Sequence, residues 1–161
     1  MARSLKNRFS RGDMDHNDNI QPTSVAELKR PLVLVVDDDE ANREALRDLL
    51  EDAGFATVHA RHGLEALKVL ATMTDAPTFI LLDLTMPVMD GWQFCESREK
   101  SASLSEIPVI AISAAEISEA NRPHGVDAFL AKPIDVEMFA RMAARIAGRR
   151  LPRSRRPVVV H

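Results

Sequence analysis

A chain of 161 residues, 45% hydrophobic, with a formal charge of -3 and a single cysteine, is suited to one domain with tails. That charge excludes a chain-wide attraction to nucleic acid. The lone Cys95 excludes an internal disulfide and fits a reducing compartment, and no run approaches the roughly 18 apolar residues of a membrane span. The first residues lack the apolar core of a secretory signal, so the expected setting is the cytoplasm with no membrane partner.

Residues 1–29 are polar and without sustained period, and are expected to form a flexible N-terminal tail with one helical turn at 24–29. From residue 30 to 148 the pattern alternates strand and helix. A short apolar run, Leu32 to Val36, reads as a buried strand and stops at Asp37, Asp38 and Asp39. Ala41, Ala45, Leu46, Leu49, Leu50 and Ala53 then recur at helical spacing until Gly54. Residues 55–60 form the second strand, and Leu64, Leu67, Val69 and Leu70 mark a helix over 63–73. The third strand, Phe79 to Leu82, ends at Asp83. Asp90 and Gly91 open a helix that carries Trp92, Phe94 and Cys95 and runs to about Lys100. The fourth strand spans 109–112, residues 114–120 leave room for a short helix, and the fifth strand spans 128–131. Phe139, Met142, Ala143 and Ile146 give the last helix, 136–147, a clean apolar stripe. Residues 149–161 are basic and broken by proline, and are expected to form a C-terminal tail.

Five such units imply an α/β, doubly wound parallel sheet covered by helices on both faces. In the flavodoxin-like (βα)5 arrangement, strand order 2-1-3-4-5, ligands sit at the C-terminal strand ends between strands 1 and 3. Here those are the two strands that end in aspartate. Crowding Asp37, Asp38 and Asp83 is costly unless a hard cation offsets the repulsion, and few protein ligands with open positions suit Mg2+. An aspartate carboxylate is also a competent nucleophile toward phosphorus. Asp39, beside a helix start, reads instead as a cap. Lys132 follows the fifth strand and could reach the same rim, and Ser113 ends the fourth; alone, each would read as a surface charge and a helix cap.

Taken together, these residues resemble the receiver domain (CheY-like) of two-component response regulators. The resemblance rests on VLVVDDDE at 33–40, LLDLTMPVMDGW at 81–92, PVIAISA at 108–114 and GVDAFLAKPI at 125–134, and covers about residues 31–148. It implies that Asp83 is the phosphoacceptor, that Asp37, Asp38 and the backbone carbonyl of Thr85 join Asp83 in holding Mg2+, and that Lys132 contacts the phosphoryl group. It places Ser113 and Phe129 at the two switch positions and makes the Lys132–Pro133 bond cis. The implied partners are a histidine kinase or phosphotransfer protein and an unnamed downstream protein, with homodimerisation left open. The implied role is a single-domain phosphorelay switch rather than an enzyme acting on a free substrate.

Two departures stand out. Only 14 residues, 114–127, connect strands 4 and 5, about three fewer than the family usually has, and Pro123 limits a helix there. The fourth helix is therefore expected to be short or partly irregular, and the output face to differ from the usual one. Phe129 also lacks the hydroxyl of the Tyr often found at its position.

Three other readings remain at this level. Asp37 and Asp39 resemble the motif of haloacid-dehalogenase-like, Mg2+-dependent phosphatases, although Ala41 stands where Thr or Val is expected. A phosphorylation-independent receiver scaffold is the second, and nucleic-acid binding through the arginines of 149–156 is the third.

Overall fold

The computed structural model describes residues 30–114, 117–118 and 121–148, and the backbone of 158–159. The helical turn expected at 24–29 and the basic run at 149–156 lie outside the described residues. In chain order the elements are β1 (Leu32–Val36), α1 (Glu40–Asp52), β2 (Ala56–Ala60), α2 (Gly63–Thr72), β3 (Phe79–Asp83), α3 (Gly91–Glu99), α4 (Ala102–Ser105), β4 (Val109–Ser113), β5 (Ala128–Ala131), α5 (Val136–Gly148) and β6 (Val158–Val159).

The sheet is parallel throughout, in the order β2-β1-β3-β4-β5, with β6 added beside β5. Residues 158–159, which the sequence reading places in the tail, thus continue the parallel pattern beyond α5. Strands β3 and β4 are buried at every position, as expected where helices cover both faces. One face, Val33, Val35, Phe79, Leu81, Ile110, Ile112 and Leu130, packs under α1 and α5 against Leu46, Leu50, Phe139, Ala143 and Ile146. The other, Leu34, Val36, Ile80, Leu82, Val109, Ala111 and Phe129, packs under α2 and α3 against Ala66, Leu70, Phe94 and Cys95. Period-2 alternation along each strand thus feeds two cores. Phe79, Phe94 and Phe139 are fully buried, each worth about 1.5–3 kcal/mol in apolar burial. Phe55 sits just ahead of β2 and meets Phe79 edge-on, with ring centroids 5.7 Å apart. Burial pushes the Cys95 thiol up to about 12, so Cys95 is a core residue and chemically quiet.

Local chemistry starts four of the helices, α1, α2, α3 and α5. Asp39 accepts from the Asn42 N–H, His62 Nδ1 from Glu65, and Asp135 from Met138. Asp90 and Gln93 form a reciprocal capping box at α3. Gly91 is required there: a Cβ would lie 2.7 Å from Leu84 Cδ2, 2.8 Å from Leu84 Cα and 2.9 Å from the Asp83 carbonyl. The helix that follows β3 therefore rests directly on the end of that strand.

The structure goes further than the shortening expected between β4 and β5. Among the described residues of 114–127 none is helical; they form bends and turns. The one-turn α4 lies on the other side of β4, where the sequence reading has no element. With so few residues to cross from one parallel strand to the next, the chain has little length for a packed helix. Val126 from the connection, with Ile117 packed against the same cluster, helps cover the α3 side of the sheet in its place.

Candidate functional site: an acidic cluster at the strand ends

Strand register assembles the site. Val36 pairs with Leu82, so Asp37 and Asp83 leave β1 and β3 at the same level. Asp83 pairs with Ile112 and Ser113 with Ala131, so Ser113 and Lys132 each stand one residue beyond their neighbour. Four separate segments converge on one edge because parallel pairing carries their ends there together.

Asp37, Asp38 and Asp83 each offer a carboxylate oxygen, all within 4.8 Å of one another. Asp37 and Asp83 are buried, whereas Asp38 is exposed and leaves one side of the cluster open. The two buried carboxylates are held alike. Asp37 Oδ1 accepts from the Asp39 N–H at 2.9 Å, and Asp83 Oδ1 from the Thr85 N–H at 2.8 Å. Their Oδ2 atoms both meet Lys132 Nζ, which lies 3.4 Å from Asp37 and in direct hydrogen-bond contact with Asp83. The Lys132–Pro133 peptide is cis, as the resemblance implies. Backbone pairing of Lys132 N–H with the Ser113 carbonyl, 2.9 Å, fixes where that lysine leaves the sheet.

The electrostatics follow from burial and crowding. Burial raises Asp37 above the ordinary carboxylate value; the Asp39 N–H and Lys132 pull it back down, and the charge of Asp83 pushes it up. For Lys132, burial works against the charged form, but the hydrogen bond to Asp83 and the charges of Asp37 and Asp83 prevail and raise it. Lys132 is thus held as a cation between two carboxylates. An all-oxygen cluster with one open side fits a hard divalent cation that keeps several waters, as Mg2+ does.

The structure brings Asp37, Asp38, Asp83 and Lys132 into one cluster. Ser113 is buried at the end of β4, and Thr85 follows Asp83 with its N–H committed to that carboxylate. Phe129 on β5 pairs with Ala111, the central residue of β4, and is buried on the α3 side. Asp39 lies apart in role: its carboxylate caps α1, which removes the second carboxylate of the phosphatase motif from the site.

Arg43 is the residue that sequence reasoning missed. Its Nη1 donates to the carbonyls of both Asp37 and Asp38, at 2.9 and 3.0 Å, and so clamps the loop that carries the acidic pair. The available signal was its position on the first turn of α1, four residues beyond Asp39 and on the face that looks back at the loop. The β3–α3 loop hides a second feature. Val88 has φ of 69° and is exposed, and the Met89 N–H bonds the Pro87 carbonyl at 2.8 Å, a γ-turn.

Sheet order and site geometry define a class, and comparison with known proteins agrees. The model of the response regulator receiver domain matches residues 33–144, and the chain belongs to that family. It is a receiver domain of two-component response regulators, a phosphoacceptor signalling family. The polar-differentiation response regulator DivK of Brucella anthropi is 36% identical over 110 residues, covering 66% of this chain and 88% of that protein. The signal receiver domain of a signal transduction histidine kinase from Syntrophus aciditrophicus superimposes with a TM-score of 0.66 at 29% identity, over 77% of this chain and 96% of that one. The receiver domain of a sensor histidine kinase from Pseudomonas aeruginosa, solved with a magnesium ion coordinated in its active site cleft, shares the fold with a TM-score of 0.67 at 22% identity, over 74% and 99%.

Proposed function

We propose that Asp83 is the phosphoacceptor of this receiver and that Asp37, Asp38, Asp83 and the Thr85 carbonyl hold Mg2+. The observation that carries this is the convergence of Lys132 on the carboxylates of both Asp83 and Asp37 across the end of the sheet. When bound, the cation would offset the crowded negative charge and help neutralise the phosphoryl oxygens.

A partner histidine kinase or phosphotransfer protein presents phosphohistidine. The Asp83 carboxylate attacks phosphorus in line, an O–P bond forms, the N–P bond breaks, and imidazole is returned to the partner. The Thr85 N–H fixes the carboxylate's orientation, so little motion is needed before attack. Lys132 exchanges its contact with the carboxylate for one with the transferring group. Ser113 donates its hydroxyl to a phosphoryl oxygen, and Phe129 follows into the space that movement vacates. Water later cleaves the acyl phosphate, releasing inorganic phosphate and restoring the carboxylate.

The acyl phosphate carries about -1.5 to -2 of charge beside β4 and β5, where the free carboxylate carried about -1. Driving a two-state equilibrium from 1:99 to 99:1 takes about 5.5 kcal/mol of differential interaction. New charge-assisted bonds from Lys132 and Ser113 supply a good part of that. The output is altered binding to a downstream protein, or onward transfer of the phosphate, in the cytoplasm. Among the described residues no helix is long and apolar enough to cross a membrane.

The test is incubation with Mg2+ and acetyl phosphate, read by intact mass. One labile phosphate should appear in the wild type and be absent from Asp83→Asn. Label retained in that variant would overturn the assignment.

A further inference from the structure

The β4–β5 connection is held at three points, and they differ in kind. At its start, the Ser113 carbonyl is bonded to the Lys132 N–H, so the connection leaves directly from the acidic site. Its far end is pinned from within. Arg98 on α3 is almost fully buried, and its guanidinium donates to the Gly125 carbonyl at 2.6 Å and to Ile107 and Leu104 at 2.8 and 3.0 Å. Asp127 adds a reciprocal pair with Val109: its N–H donates to the Val109 carbonyl at 2.9 Å, and its carboxylate accepts the Val109 N–H at 2.8 Å. Between these ends the chain folds about Asn121, whose side-chain oxygen accepts from the Ser118 N–H at 2.7 Å and whose N–H returns to the Ser118 carbonyl at 3.2 Å. The Asn121 carbonyl then accepts the indole N–H of Trp92 at 2.9 Å.

That last bond joins two things that both touch the site. Trp92 is the second residue of α3, beside Gly91, which packs against Leu84 and the Asp83 carbonyl with no room for a Cβ. A displacement at Asp83 is therefore felt at the start of α3. A displacement at Ser113 must be taken up before the pinned Gly125 end, and the Trp92–Asn121 bond spans that interval. It is a single bond between partly exposed groups, of the strength a switch can break or form.

We propose that Trp92 is a positioning residue that couples the acidic site to the β4–β5 connection, in the role a packed crossover helix would otherwise fill. The inference rests on the phosphoacceptor reading of Asp83. It puts the state-dependent surface of this receiver on the first turn of α3 and the Asn121 turn.

Because the chain has one tryptophan, intrinsic emission reports this position alone. The full chain, Trp92→Phe and Asn121→Ala are each treated with Mg2+ and acetyl phosphate. Intact mass gives phosphate occupancy, and amide hydrogen exchange is compared between treated and untreated protein. In the wild type, Trp92 emission should shift and exchange across 117–122 should change about threefold or more on phosphorylation. Trp92→Phe keeps an aromatic ring, smaller than the indole, and loses the donor. It should still take up phosphate, with that state-dependent exchange difference abolished. A merely structural role would alter exchange equally in both states. Asn121→Ala keeps the accepting carbonyl but removes the side-chain oxygen that takes the Ser118 N–H and so holds that carbonyl in place. It should reduce the Trp92 emission shift at unchanged occupancy, and it serves if Trp92→Phe does not fold. An exchange difference that survives in Trp92→Phe, or a phosphorylated wild type with no change at 117–122, overturns the proposal. If no phosphate is taken up by the wild type, the reading of Asp83 fails first, and mass alone shows it.

Discussion

The two ends of this site are built on opposite plans. Around Asp37 and Asp83, five-residue strands in continuous register deliver the functional groups, and each buried carboxylate is also tied to its own loop. Between β4 and β5, no element among the described residues repeats, and the path depends on single bonds from α3 and Asp127. The first region is over-determined by backbone pairing, the second specified by individual side chains. A change of one side chain should therefore act oppositely in the two places. In the connection it costs stability, and in the acidic cluster it costs function while relieving stress.

The largest effect is expected at Arg98. Truncation by Arg98→Ala leaves the carbonyls of Leu104, Ile107 and Gly125 without their donor and opens a cavity, for a loss of about 3–5 kcal/mol in urea unfolding. A lysine at that position has one point of donation against three separated carbonyls and should rescue little. Near-wild-type stability in Arg98→Ala would mean that the connection is held by its own contacts, and the contrast would collapse.

Mg2+ probes the other region. At a hundredfold excess over its dissociation constant it should stabilise the wild type by about 2.7 kcal/mol, visible as a raised melting temperature reversed by a chelator. Asp37→Asn removes a buried charge that its surroundings disfavour, so the metal-free protein should gain about 1 kcal/mol and lose the Mg2+ response. A metal-free Asp37→Asn protein less stable than the wild type would show that the acidic cluster supports the fold after all.

A smaller change sharpens the view of the rim. Val88 carries a positive φ on an exposed loop, so Val88→Gly exchanges strain for chain entropy, with a net gain of about 0.5–1 kcal/mol. Acceptance of phosphate slowed by that substitution would show that the strained turn helps position the site.

The smallest effect lies at the β2 edge, outside both regions. Burial, then the nearby Arg43 and Arg47, hold His59 below its ordinary value. The folded protein thus binds its proton less readily than the unfolded chain. Stability from this group is full above about pH 6.5 and declines as the pH falls below it. His59→Gln should flatten that part of the melting-temperature profile, and an unchanged slope would assign it to other groups.

Much of this was legible along the chain. The apolar runs stop at Asp37 and Asp83, and their ends meet because parallel strands of similar length pair in register. Asp39, Asp90 and Gly91 announced helix starts through chemistry that acts over one turn. Even the shortfall between strands 4 and 5 could be counted, although the count suggested a short helix where the described residues form turns.

What the sequence alone determined is therefore everything carried by local pattern: strand ends, helix stripes, caps, and the acidic set those ends deliver. Tertiary structure decided the rest. Lys132 reaches Asp37 across 95 positions, Arg98 reaches Gly125 across 27, and Trp92 reaches Asn121 across 29. Arg43 clamps its loop through main-chain carbonyls that carry no residue signature. A periodic pattern reports which face of an element is apolar, because that property repeats every two or 3.6 residues. A single donor meeting a distant carbonyl repeats nothing, and only the packed chain brings the two together.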